Sequence, residues 1–422
     1  MPSALADWLI YLESLHPKSI ALGLERIAQV KQRMDLTPDF PVIVVGGTNG
    51  KGSVCAFLES ILSAAGYCVG CYTSPHLLTY NERVRIDKKR ANDEELCAAF
   101  EQVEQHRADI PLTYFEFGTL AAMQVFIARK VNVAILEVGL GGRLDAVNAF
   151  DSDCAVVASI DIDHTDYLGD TRELIAFEKA GIFRKGKVAI CADENAPQTL
   201  RAYAVKIGAS LFCIGNEFNF KQYQKQWDYV SWIGSRNALP YPALHGAFQL
   251  HNASAALAVM DVLRDLLPVS MESLRRGLVE VSLPGRFQVV PCKPMLILDV
   301  AHNPQAARSL ALNLADLPPS THTYAVFSML KDKDIAGVVK PLSNYVNTWL
   351  LAGIDVSRGA TANELVRVLQ QGGVRGEILT FDTIAEAVTY AYNVANETDR
   401  ITAFGSFHTV AEVMHARGLF IT

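Results

Sequence analysis

The chain has 422 residues, half of them apolar and a fifth charged; that is too long for one ordinary core and predicts a soluble globular enzyme of two or three domains. Its net charge of −7 argues against nucleic acid as the main partner. Met1 is not followed by a charged segment and an apolar core, and no apolar run could cross a bilayer, so a cytoplasmic protein with no membrane partner is expected.

The first strong signal follows Pro41. Val42–Val45 reads as a buried parallel strand, and Ser53–Ala65 places Val54, Phe57, Leu58, Ile61 and Leu62 at helical spacing before Gly66. Between them lies Gly46-Gly-Thr-Asn-Gly-Lys-Gly-Ser53. A glycine-rich loop between a strand and a helix N-terminus aims backbone N–H groups and the helix dipole at an anion, and Lys51 adds charge. The loop fits G-x-x-x-x-G-K, but Gly52 stands where a hydroxyl residue is usual and the hydroxyl comes next, at Ser53. The plainer alternative is a glycine-rich turn with a solvated lysine; the flanking strand and helix favour a bound nucleoside triphosphate.

Further along, Tyr67–Thr73, Val131–Val138, Cys154–Ile160 and Lys187–Cys191 read as strands, with a helix over about 172–183. Residues 216–240 mix aromatic and polar residues without helical spacing and read as a β-rich excursion; a long helix is expected over about 248–266. From residue 290 a second α/β pattern begins, with strands Met295–Val300, Tyr324–Phe327, Thr348–Ala352, Glu377–Phe381 and Arg400–Ala403. The alternation implies parallel sheets with helices on both faces. Leu283-Pro-Gly-Arg-Phe287 marks the boundary, giving domains 1–283 and 289–422 and a hinge at 284–288. Eight cysteines are scattered along the chain. Cys68-Val-Gly-Cys71 has redox or zinc spacing, but no second pair completes a zinc site and reduced thiols are the expectation.

In doubly wound sheets, ligands sit beyond the carboxyl ends of the strands. That rule selects Ser74, Glu137, and Asp161 to His164 in the first half, and Asp299, His302, Ser406 and His408 in the second. A hydroxyl, a carboxylate and an imidazole around a phosphate loop suit Mg²⁺, although each alone is more often a capping or paired group. Polar strand ends in both domains imply a cleft, with nucleotide on one side and an acceptor on the other.

Taken together, Gly47–Ser53, Glu137-Val-Gly-Leu-Gly-Gly-Arg-Leu-Asp145, Asp163-His-Thr-Asp166, Glu178-Lys-Ala-Gly-Ile182, His251-Asn-Ala253, Leu283–Phe287, Asp299-Val-Ala-His-Asn-Pro304 and Gly405-Ser-Phe-His-Thr-Val410 resemble the Mur-ligase superfamily, and within it the bifunctional folate-glutamate ligases. The resemblance implies an N-terminal P-loop ATPase-type doubly wound domain, a C-terminal Rossmann-like α/β domain and an active site in the cleft between them. It implies ATP as substrate, one or two Mg²⁺ ions, K⁺ as a further candidate ion, and a monomer acting on dihydropteroate, folates and L-glutamate. Thr48, Asn49, Gly50, Lys51, Gly52 and Ser53 would hold the phosphates; Asn252, Arg286 and Asp299 would also contact ATP. Ser74, Glu137 and His164 would ligate metal. Lys179 matches a lysine that is carbamylated in the family, whereas spacing alone makes it a helix-surface lysine. Lys51, Lys179, His164 and Arg286 form the catalytic set, and His302 and Ser406 would lie near the incoming glutamate.

A pterin pocket is implied at Ser19, Ile20, Ala21 and Leu22, at Thr113, Tyr114, Phe115 and Glu116, and at Leu144, Asp145 and Ala146. Some relatives carry Asp at the position of Ala21, and the aromatic pair reads equally as core. The implied chemistry is ATP-driven amide formation through an acyl phosphate, on dihydropteroate and on the γ-carboxylate of folates. A monofunctional folylpolyglutamate ligase is the first alternative. A cell-wall Mur ligase would need a domain of roughly a hundred residues ahead of the loop, and 45 residues precede Gly46. A nucleotide-binding switch is the remaining alternative.

Overall fold

The computed structural model describes residues 2–16, 18 and 20–420. The chain divides into two compact units: one runs to Ala243 and includes Leu250–Val281, the other combines Leu244–Gln249 with the chain from Ser282.

The first unit is built on eight strands: β1 (Val42–Gly46), β2 (Val69–Tyr72), β3 (Val84–Ile86), β4 (Lys89–Arg90), β5 (Val133–Glu137), β6 (Cys154–Val157), β7 (Val188–Cys191) and β8 (Ser210–Cys213). Their order is β4-β3-β2-β5-β1-β6-β7-β8. From β2 to β8 all neighbours are parallel, so every residue of β1, β2, β5 and β6 is buried and each reads as a largely apolar run, β5 ending in Glu137. The expected parallel sheet is present, but β3 and β4 extend it as an antiparallel edge. Their hairpin turns at Asp87 and Lys88, both at positive φ, without the Asn-Gly or Asp-Gly signal that would have marked it in the sequence.

The excursion over 216–240 is a separate antiparallel sheet of β9 (Phe218–Gln222), β10 (Trp227–Ser231) and β11 (Gly234–Leu239). Trp227 and Tyr229 alternate inward on β10. The sheet is tied to helix Gln249–Val262 through Asp261, whose carboxylate accepts from Tyr229 (3.0 Å) and Ser231 (2.7 Å) and pairs with Arg236. Helix Arg172–Ala180 ends at Gly181, short of the expected 183.

The second unit holds β12 (Gln288–Val290), β13 (Met295–Leu298), β14 (Thr323–Phe327), β15 (Thr348–Ala352), β16 (Glu377–Phe381) and β17 (Arg400–Phe404), ordered β12-β13-β17-β14-β15-β16. It is parallel except for β12, which the sequence pattern missed and which pairs antiparallel with β13. All eight cysteines are free, five of them buried; Cys71 lies inside β2 and half-buried Cys68 precedes it. Among the described residues no helix is long and apolar enough to cross a membrane.

Candidate active site

The glycine loop leaves β1 at the middle of the first sheet. Gly47 sits at φ +145, and a Cβ there would lie 3.1 Å from the amides of Ala158 and Ser159, so only glycine lets the loop press against the end of β6. Thr48 N donates to Ser159 O (2.7 Å), and the Thr48 hydroxyl donates to Asp161 O and accepts from Asp161 N, both at 3.0 Å. Asn49 N donates to the Ser159 hydroxyl (3.0 Å). The loop is thus fixed by the 158–161 segment. Gly50, at φ +85, precedes helix Lys51–Ala64, and a Cβ on it would fall 2.6 Å from Asn252 Oδ1. Asn252, which the resemblance placed at ATP, therefore lies against the loop. Lys51 Nζ folds back onto the carbonyls of Gly47 (3.1 Å) and Thr48 (3.2 Å), while Ser53 is buried in the first helical turn.

Parallel pairing sets Glu137, the last residue of β5, beside Val45 of β1. Its carboxylate is 4 % exposed and accepts a hydrogen bond from Ser74 N (3.0 Å), just past β2. Strand order β2-β5-β1 therefore places Ser74, Glu137 and the phosphate loop in one row. His164 stands at φ +52 and ψ 43, a left-handed conformation that costs a non-glycine residue energy and is found disproportionately at functional sites. Its amide donates to Asp163 Oδ1 (2.8 Å).

Lys179 is 3 % exposed, on the face of helix Arg172–Ala180 that also buries Ile175, Ala176 and Ala180. Spacing alone made it a surface lysine; the structure overturns that. Burial pushes its ammonium down to about 7, the nearby charge of Lys51 adds to the effect, and Asp163 and Asp145 oppose it. These four charged groups are thus electrostatic neighbours beside the phosphate loop.

Asp145 receives Leu140 N (2.8 Å) and Val147 N (3.1 Å) on its carboxylate. Burial nonetheless raises it to about 7, against the pull of those amides and Lys51. Its loop is fastened to the Lys179 helix: Arg143 N donates to Glu178 O (2.7 Å) and the Arg143 guanidinium pairs with the Glu178 carboxylate (2.9 Å). The resemblance placed Asp145 only with pterin; its charge also acts on Lys179. Among the described residues no group of three or more His, Cys, Asp or Glu side chains is placed to hold a metal ion, so any metal here would rely on hydroxyl and phosphate oxygens as well. Hydroxyls and a carboxylate are a donor set suited to Mg²⁺.

Ser19 lies outside the described residues. Ile20, Ala21 and Leu22 are half-buried; the Ala21 carbonyl accepts from Arg26 (2.6 Å), which also pairs with Glu116 (3.1 Å), and Gly23 N donates to Leu144 O (3.3 Å). Segments 20–22, 113–116 and 144–146 are thereby linked. Thr113 and Glu116 form a capping box on helix Tyr114–Ala128, which gives both a structural task. Phe115 stacks on Tyr72 (5.7 Å) and Tyr114 meets Tyr80 edge-on (5.9 Å). Tyr114 and Phe115 are only half-buried, so each keeps surface for a ligand.

In the second unit, Asp299 follows β13. Its two oxygens accept from Phe287 N (2.9 Å) and Ala301 N (2.7 Å). Loss of solvent raises it to about 6, with Arg286 opposing. The Arg286 guanidinium lies 5.0 Å over the Phe407 ring, and the His302 ring is 6.2 Å from the same phenyl. Arg286, Asp299 and His302 are therefore brought together around Phe407, which the sequence did not single out because a lone Phe reads as core. Ser406 caps helix Phe407–Ala416, its hydroxyl accepting from Thr409 N (3.0 Å).

Residues 45–260 match the Mur ligase middle domain family and residues 285–407 the Mur ligase glutamate ligase domain family. The chain is 46% identical over 413 residues to the dihydrofolate synthase/folylpolyglutamate synthase of Escherichia coli, covering 98% of this chain and 95% of that one. It is 42% identical to that of Haemophilus influenzae, covering 97% of each. The solved E. coli FolC in complex with DHPP and ADP superposes with a TM-score of 0.94 at 45% identity, over 99% of both chains. A Yersinia pestis enzyme complexed with AMPPNP and Mn ion gives 0.93 at 47% identity, over 99% of this chain and 100% of that one. The chain belongs to the Mur ligases, in the dihydrofolate synthase/folylpolyglutamate synthase family.

Proposed function

We infer that the chain is an ATP-dependent ligase that joins L-glutamate to dihydropteroate, making dihydrofolate, and to the γ-carboxylate of folates, making folylpolyglutamates. The observation that carries this reading is the row formed by the phosphate loop, Glu137 and Ser74 beside the buried Lys179 cluster. In the proposed reaction a carboxylate oxygen of the acid attacks the γ-phosphorus of ATP. The bond to the β-γ bridging oxygen breaks and ADP leaves. The deprotonated amine of glutamate then attacks the acyl carbon, and the tetrahedral intermediate expels phosphate to leave an amide. No nucleophilic side chain is needed; positioning and charge neutralisation suffice.

Within this scheme the amides of Thr48 to Ser53 cradle the phosphates, Lys51 turns from the loop carbonyls to phosphate oxygens, and Asn252 fixes the loop. Mg²⁺ held by Ser74 and Glu137 would neutralise phosphate charge, and His164 would hold a second ion. Lys179, whose buried amine is pushed down to about 7, is set to add CO₂ in its neutral form: the nitrogen bonds to carbon and one proton is released. The resulting carbamate removes a cation next to Lys51 and supplies anionic oxygens near the metal. Arg286 and Asp299 are assigned to ATP, and His302 and Ser406 to the amine substrate. The linked segments 20–22, 113–116 and 144–146 support a pterin site, and the net charge of −7 supports small-molecule substrates over nucleic acid. We further infer a monomeric cytoplasmic enzyme.

The test is glutamate-dependent phosphate release from ATP, with dihydropteroate and tetrahydrofolate as separate acceptors. Release with both is expected. Release with one alone would make the enzyme monofunctional, and release with neither would overturn the assignment.

A further inference from the structure

Arg83 is used by no role so far. It ends the short helix Tyr80–Arg83, directly before β3. Its guanidinium carbon lies 5.5 Å over the Tyr80 ring and 5.4 Å over the Tyr114 ring. Its Nε donates to His76 Nδ1 at 2.9 Å, so that nitrogen carries no proton and His76 provides no negative charge. The backbone is fixed as well: Thr73 N donates to Arg83 O at 2.9 Å. Side chain and main chain are therefore both bound to residues 73–76, the segment that supplies Ser74.

Arg85 shows what an arginine in this region does when its role is structural. It makes a buried pair with Glu59 (2.8 Å) and further bonds to the Thr73 hydroxyl (3.0 Å) and Glu82 O (2.8 Å). Arg83 has no such partner. Among the described residues its two terminal nitrogens meet no acceptor and no carboxylate pairs with it. Glu13 acts on Tyr114 and Asp145 on Tyr72, yet neither forms an ion pair with Arg83. Burial raises the phenols of Tyr72, Tyr80 and Tyr114, and the positive charge of Arg83 offsets part of that rise in each. A half-buried guanidinium without a counter-charge is costly unless a ligand completes it.

The position says which ligand. On one side are Tyr114 and the segment that links to residues 20–22 and 144–146; on the other is Ser74, hydrogen-bonded to Glu137 beside the phosphate loop. An aromatic acid lying between pterin contacts and phosphate must bring its carboxylate past this point. Arginine presents a planar fork matched to two carboxylate oxygens. We propose that Arg83 is a carboxylate-binding residue for the acid substrate, its terminal nitrogens receiving the two oxygens while Tyr80 and Tyr114 hold the guanidinium plane. This rests on the ligase reading above. Dihydropteroate has only the reacting carboxylate, whereas a folate also carries the α-carboxylate of its glutamate.

The experiment measures KM for dihydropteroate, tetrahydrofolate and ATP, with kcat, in the full chain and in Arg83→Gln and Arg83→Lys. Arg83→Gln is expected to raise the acid KM about tenfold or more, the size of a lost charged hydrogen bond, with the ATP KM unchanged. Arg83→Lys, which keeps the charge but not the planar fork, should recover only part of the effect and also serves if the Gln variant does not fold. Equal losses with both acids place Arg83 on the reacting carboxylate; a loss with tetrahydrofolate alone places it on the α-carboxylate. Acid KM values within twofold of the parent in Arg83→Gln, or a Lys variant as impaired as Gln, overturn the proposal. An unsubstituted chain inactive with both acids would instead overturn the ligase reading itself.

Discussion

Lys179 is a residue where folding and function pull in opposite directions. Its folded pKa of about 7 lies below the ordinary 10.5, so between roughly pH 7 and 10 the unfolded chain binds more protons and stability rises with pH. Lys179→Met removes that dependence. In CO₂-free buffer it should raise stability by up to about 4 kcal/mol at pH 7 while abolishing turnover; thermal melts from pH 7 to 10 with parallel assays check this, and a variant less stable than the parent would refute the buried-amine account. Asp145 has the opposite sign. Its pKa is raised from 3.8 to about 7, so its contribution favours the folded state most at low pH and is lost as pH rises through 7. Asp145→Asn should flatten the melting-temperature profile between pH 4 and 7. Gly50 tests the loop itself, because a Cβ there meets Asn252 at 2.6 Å with φ +85. Gly50→Ala should weaken ATP binding at least tenfold by isothermal titration, with a melting temperature lowered by a few degrees from the strained φ. Lys51→Ala should eliminate turnover and leave the circular-dichroism spectrum intact; near-normal activity would contradict the phosphate-cradle role.

At the scale of elements, the tether between the three-stranded sheet and helix Gln249–Val262 makes its own prediction. Asp261 is the shared partner of Tyr229, Ser231 and Arg236. Asp261→Ala leaves the Arg236 charge and two hydroxyls without it, and should cost about 3–5 kcal/mol in urea denaturation. Because that helix also carries Asn252, the ATP KM should rise together with the loss of stability. The elements show why some of the fold could be read from sequence and some could not. The parallel strands were legible because burial on both faces leaves continuous apolar runs, as in residues 133–136. The hairpin of β3 and β4 was not, since Lys89–Arg90 is a two-residue, largely solvent-facing edge without hydrophobic patterning. Likewise β12 is only half-buried along its length and gave no alternating signal.

Across the whole molecule, the ordered motifs from Gly47 to Val410 made the family legible before any geometry, because short glycine and carboxylate patterns at strand ends survive in sequence. Their electrostatics did not. Nothing in Glu178-Lys-Ala-Gly-Ile182 says that the lysine is buried against Lys51, Asp163 and Asp145, since that depends on which helix face the sheet covers. Phe407 under Arg286 and the unmatched charge of Arg83 were hidden for the same reason. The central claim, amide ligation through an acyl phosphate, is tested most directly by following heavy-oxygen label from the carboxylate of dihydropteroate during turnover with ATP and L-glutamate. The account predicts that the phosphate released carries one labelled oxygen for each amide formed. Unlabelled phosphate accompanying amide formation would contradict it.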